Sequence, residues 1–86
     1  MKFARAERFK AAYNDLEERD RKRVEKALQL MDTDLRHPSL RVKKMGGADD
    51  IWEARASRSI RITFQIQGDI LILRNVGAHE KTLRNP

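Results

Sequence analysis

The spacing of apolar positions along this 86-residue chain changes period near its middle. Over residues 1–36 it is helical. Phe9, Tyr13 and Leu16 fall at i, i+4 and i+7, and Val24, Ala27, Leu28, Met31 and Leu35 repeat the stripe. Between the two stripes lies LEERDRKR, where Asp20 can cap a second helix. Two short amphipathic helices in a hairpin fit this pattern better than one rod of about thirty residues, which would be unusual in so small a domain. The stretch RHPSLRVKKMGGADD, residues 36–50, is a transition. His37-Pro38 ends the second helix, because a residue before proline is pushed out of the α region. His37 reads as local helix-end structure, and Gly46-Gly47 and Asp49-Asp50 are turn chemistry.

From residue 51 the period becomes two. Ile60, Ile62, Phe64 and Ile66 alternate with Arg61, Thr63, Gln65 and Gln67, followed by Gly68-Asp69 as a two-residue hairpin loop. ILILRNV, residues 70–76, is apolar on both faces, as in a central strand; Gly77 ends it and AHEKTLRNP reads as a short tail. The order predicts a single α+β domain over residues 1–86, an N-terminal two-helix hairpin packed on one face of a small antiparallel β-sheet. If Trp52, Ile60, Ile62 and Phe64 face the helices, then Glu53, Arg55 and Arg61 share the opposite face and form a charged floor. A plain alternative is that Glu53 and Arg55 are an exposed ladder pair, worth under about 1 kcal/mol.

Composition narrows the chemistry. The net charge is +6, which favours a polyanionic partner such as a phosphate backbone, although many small basic proteins bind none. There is no cysteine, which excludes disulfides and thiolate zinc sites, and the two histidines lie far apart in sequence, which argues against a dedicated metal site. No apolar run is long enough for a membrane span and no signal-peptide segment opens the chain, so a cytoplasmic protein without a membrane partner is expected.

HPSLRVKKMGG, then IWEARASRSIRITF, then GDILILRNVGAHEKTL, resemble in order and spacing the RelE/ParE toxin superfamily, the toxic halves of bacterial type II toxin–antitoxin pairs. The W-E-x-R…R-I-x-F strand pair followed by V-G-x-H-E is the most specific part. The resemblance covers essentially the whole chain and implies two helices on a small antiparallel sheet, often preceded by a short strand; MKFAR is brief and charged for that role. It further implies one of two activities: a RelE-like endoribonuclease that cuts mRNA in the ribosomal A site, or a ParE-like inhibitor of DNA gyrase. Either is neutralised by a cognate antitoxin protein. A non-catalytic basic RNA-binding module is a third reading.

Metal-free RNA cleavage needs a base at the 2′-OH, an acid at the leaving 5′-oxygen and cations on the phosphoryl oxygens. By position, the resemblance makes Arg61 a phosphate-binding arginine, Arg55 a basic partner on the neighbouring strand, Glu53 a general-base position and His79 a catalytic position after the last strand. This set favours the nuclease, acting on ribosome and mRNA with no cofactor. Lys43, Lys44, Arg41, Arg74 and Lys81 are then the RNA- and ribosome-binding candidates, with Arg19, Arg21, Lys22, Arg23 and Lys26 of the helix able to add to that surface. Many members carry an aromatic residue near the C-terminus that stacks on a base; EKTLRNP has Leu83 in the nearest place.

Overall fold

A computed structural model describes residues 2–47 and 49–86; Met1 of the MKFAR segment and Ala48 of the GGADD turn lie outside the described residues. The elements are β1 (Lys2–Arg5), α1 (Glu7–Asn14), α2 (Glu18–Thr33), a 3₁₀ turn (Pro38–Leu40), β2 (Lys43–Lys44), β3 (Trp52–Arg55), β4 (Ile60–Gln67), β5 (Ile70–Ala78) and α3 (His79–Arg84). The strands form one sheet in the order β1-β5-β4-β3-β2. Its pairs are antiparallel except for β1, which runs parallel to β5 with Lys2 opposite Ile70 and Arg5 opposite Leu73. The sheet is therefore wider than the three expected strands and mixed at one edge. Among the described residues, no helix is long and apolar enough to cross a membrane.

The helical hairpin breaks where expected but for a different reason. Glu17 occupies the N-cap of α2 without a side-chain bond, and Asp20 lies inside the first turn rather than capping it. There it complements the positive end of the helix and sits 3.8 and 3.7 Å from Arg19 and Arg23. Arg21 ties the corner by donating to the carbonyls of Asn14 and Leu16. At the other end α2 stops at Thr33, ahead of His37-Pro38. Pro38 instead opens the 3₁₀ turn, and His37 Nδ1 accepts from the Ser39 amide at 3.2 Å.

The core lies between the helices and one sheet face. Phe9, Val24, Ala27, Leu28 and Met31 pack against Ala54, Ile60, Ile62, Phe64, Leu71, Leu73 and Val76, with Trp52 at the margin. The alternation in β4 thus points inward as read, except that Ile66 is 40% exposed and borders a hollow with Leu35, Val42 and Trp52. One register shift between Thr63 and Phe64 leaves Arg74 as an extra residue in β5. Such a bulge places Arg74 and Asn75 consecutively away from the core before Val76 returns to it.

The segment after Gly77 is not a loose tail. Residues His79–Arg84 form α3, which packs on β4 and β5. Gly77 pairs with Arg61 on the face opposite the core, and a Cβ there would lie 2.9 Å from the Thr82 hydroxyl. With φ at +156°, Gly77 both adopts a conformation that L residues avoid and leaves the space that buried Thr82 fills. Asn75 Nδ2 then donates to the Asn85 carbonyl at 2.8 Å, while Arg8 and Arg74 reach the Pro86 carbonyl at 2.6 and 3.4 Å. Gly77→Ala is expected to cost about 1–3 kcal/mol by this overpacking, measured by urea unfolding. Gly46→Ala, where a Cβ meets nothing within 4 Å, should stay within about 0.5 kcal/mol of the parent.

Candidate functional site

The register that buries Trp52 against Phe64 and Ala54 against Ile62 sets Glu53 opposite Thr63 and Arg55 opposite Arg61. Like charges directly across a strand pair repel, so an Arg–Arg pair at this position works against the sheet. Neither side chain is relieved by a carboxylate: among the described residues no acidic oxygen comes within ion-pairing distance of Arg41, Arg55, Arg58 or Arg61. Both arginines lean instead on the turn joining β3 to β4. Arg55 Nε donates to the Ser57 carbonyl at 3.4 Å and Arg61 Nη1 to the same oxygen at 3.0 Å, with longer bonds from Arg61 to the Arg58 and Ile60 carbonyls.

Burial first, and then the charge of Arg55, push the Arg61 pKa below the ordinary guanidinium value; Arg41 pushes the same way and Glu53 opposes them. A guanidinium does not give up its proton in a protein, so the unfavourable field remains as an affinity for an anion. Arg41 comes into range through the 3₁₀ turn, after which its backbone takes the left-handed value φ 45°.

These groups border a shallow cleft of about 590 Å³ lined by Arg55, Arg58, Ser59, Arg61, Ala78, His79 and Glu80. His79 opens α3, its amide donates to the Ser59 carbonyl at 2.9 Å, and its side chain is exposed in the cleft beside the arginines. The structure therefore brings Arg55, Arg61 and His79 together. Glu53 lies next to them on the same face but not in the cleft. It is 6% exposed, with a carboxylate 3.6 Å from the Lys43 ammonium, so it is no exposed ladder residue.

The outlying candidates divide. Lys43 and Lys44 form edge strand β2, with Lys44 also 2.8 Å from Asp50. Arg74 donates to Gln65 at 2.8 Å and to the Pro86 carbonyl, so its guanidinium is engaged within the chain. Lys81 borders a separate hollow with Ala12, Asp15 and Leu16 of the helical hairpin. Arg58 and Ser59 of the cleft were not singled out from sequence; the cue was SRS in the turn between two charged strands. Leu83 is half-buried on α3. The aromatic residues Phe3, Phe9, Tyr13, Trp52 and Phe64 all lie in or against the core, and none lines the cleft.

The helical layer, mixed five-stranded sheet and returning C-terminal helix together have the fold of RelE/ParE-type toxins. The structure superposes on YafQ from E. coli with a TM-score of 0.80 and 10% identity, over 93% of this chain and 94% of that one. It matches a YoeB/ParE toxin from Agrobacterium tumefaciens at 0.76 and 13%, over 92% and 99%. A chain of the RelB–RelE antitoxin–toxin complex from Methanococcus jannaschii matches at 0.74 and 22%, over 95% of each. At the level of sequence, neither a family-wide scan nor a search of curated proteins finds a match.

The uncompensated arginine pair predicts opposite effects on stability and on anion response. Arg61→Gln should unfold at the same temperature as the parent or slightly higher, because a repulsion of up to about 1 kcal/mol is relieved. The rise in melting temperature that inorganic phosphate gives the parent over chloride of equal ionic strength should disappear in the variant.

Proposed function

We propose that the protein is the toxin of a type II toxin–antitoxin pair and acts as an endoribonuclease, cutting mRNA in the ribosomal A site and stopping translation. The observation that carries this reading is the pair of facing arginines, half-buried and, among the described residues, without a carboxylate partner, beside an exposed imidazole. The fold shared with RelE- and YafQ-type toxins supports it. Complexes named RelB–RelE and DinJ–YafQ support a cognate antitoxin as partner.

The chemistry proceeds by attack of the 2′-oxygen on the adjacent phosphorus and departure of the 5′-oxygen, leaving a cyclic phosphate and a 5′-hydroxyl. Arg55 and Arg61 hold the phosphoryl oxygens with planar donor forks and stabilise the charge that accumulates there. The exposed His79 imidazole is a cleft group that can take up and give back a proton during the transfer. Glu53 is withdrawn beneath the surface and tied to Lys43, so it balances the arginine field and positions it without touching the substrate. In the absence of a cleft aromatic, the exposed Arg58 supplies a guanidinium plane on which a base can stack. Lys43 and Lys44 at the sheet edge provide a basic approach to ribosomal RNA. The setting is the bacterial cytoplasm, where ribosomes and antitoxin are met.

Translating ribosomes incubated with the protein should yield mRNA cut within the A-site codon, read by primer extension. Intact mRNA together with blocked supercoiling by gyrase would overturn the nuclease reading in favour of gyrase inhibition. His79→Gln should lower the single-turnover cleavage rate by roughly 10²–10⁴-fold while keeping the stabilisation by phosphate.

A further inference from the structure

Two hollows meet at Arg55. One is the cleft containing Arg61 and His79. The other, about 270 Å³, lies between α2 and the turn after β3, and its polar lining comes from Arg23, Lys26, Ser39, Arg55 and Ser57. The ridge separating them is the 56–59 turn, whose Ser57 carbonyl receives both Arg55 Nε and Arg61 Nη1. That docking uses Arg55 through Nε, so its two terminal nitrogens, which make no hydrogen bond among the described residues, are left to serve either hollow.

The second hollow carries a consistent charge. Lys26 has no ion pair among the described residues, and Arg23 has only an open one at 3.7 Å to Asp20. That contact uses Nη1 alone, so among the described residues the other donors of this half-exposed guanidinium make no hydrogen bond and are open to another anion. Among the described residues no carboxylate lines the hollow, and Ala27, Leu30, Leu40 and Ala56 give it an apolar floor. Cations at the rim over an apolar floor suit a phosphodiester together with its sugar, and suit an acidic side chain less well because the floor would be left uncovered.

We propose that this α2 groove is a second phosphate subsite. It receives the neighbouring phosphodiester of a single-stranded polynucleotide whose first phosphate sits in the Arg61 cleft, with Arg55 bridging the two. The inference rests on the reading of the Arg61 cleft as a phosphate site. It also makes the enzyme's footprint longer than the scissile linkage and sets the direction of the strand, across the 56–59 ridge toward the middle of α2.

Calorimetric titration with non-cleavable 2′-O-methyl oligonucleotides tests it, using a dinucleoside monophosphate and a tetranucleotide. Lys26→Ala should weaken the tetranucleotide severalfold and lower its slope of log K against log salt by about 0.7, the value for one phosphate contact on a single strand. The same variant should bind the dinucleoside monophosphate as the parent does, and Lys26→Arg should restore the tetranucleotide. Arg61→Gln should weaken both. Equal losses at both lengths, or no loss at either, in Lys26→Ala would overturn the subsite while leaving the Arg61 cleft in place. No loss on either oligonucleotide but weaker capture of the antitoxin would likewise overturn it and make the groove a protein-docking surface. If the parent binds neither oligonucleotide, the phosphate reading of the Arg61 cleft falls and takes the subsite with it.

Discussion

The register between β3 and β4 governs everything placed on the sheet. Pairing Trp52 with Phe64 and Ala54 with Ile62 gives the helices an apolar surface to cover, and the same pairing sets Arg55 against Arg61 on the other face. A slip of β4 by one residue would carry Arg61 into the core and Phe64 into solvent, so the hydrophobic layer enforces a juxtaposition that electrostatics opposes. Burial of Phe9, Met31, Ile62 and Phe64 contributes on the order of 1.5–3 kcal/mol per side chain, against at most about 1 kcal/mol of cross-strand repulsion. The core wins by a wide margin. The charged face can therefore hold Arg55 and Arg61 close together with no carboxylate in ion-pairing distance of either among the described residues.

How the fold completes that face depends on one glycine. After the core-directed Val76, the missing side chain of Gly77 lets Thr82 descend onto the sheet, and the helix that carries Thr82 begins with His79. The bond from the His79 amide to the Ser59 carbonyl fixes the same helix to the turn that receives the arginine side chains. Imidazole and guanidinium groups thus hang from one small framework, the 56–59 turn and the start of α3. Neither the turn nor the start of α3 is a long element with its own hydrophobic stripe, so this framework depends on hydrogen bonds and close packing rather than on a share of the main core.

The contrast explains which parts were legible in the sequence. Helices with an apolar stripe, the alternating β4 and the Gly68-Asp69 turn announce themselves because many residues repeat one period. β1, β2 and α3 carry no such repetition. β1 exists through parallel pairing with β5, β2 is two lysines paired to β3, and α3 is held by Thr82, Asn75 and the chain's last carbonyls. All three are tertiary consequences that a local pattern does not encode. The same limit applies to the site. Alternation put Glu53, Arg55 and Arg61 on one face, but a face is not an exposure, and Glu53 proved buried. The approach of His79 to the arginines depended on a helix with no local signature and was reached only through resemblance. Arg58 carries no such signal, because a turn residue has no periodic partner.

Glu53 gives the clearest sense of how charge is distributed in this protein. A carboxylate close enough to act on Arg61 could close an ion pair with it and quench the site. It pairs instead with Lys43 on the far side, an ammonium that is 72% exposed and strongly hydrated. At that remove Glu53 still favours the charged state of Arg61, yet it occupies none of the arginine donors. Among the described residues, the Arg55 and Arg61 donors that are bonded meet backbone carbonyls, which carry partial rather than full negative charge. On the proposed reading, a phosphate entering the cleft exchanges weak acceptors for a strong one without first displacing a carboxylate from the described arginines. That difference separates a cation cluster built to receive an anion from one already neutralised by the fold.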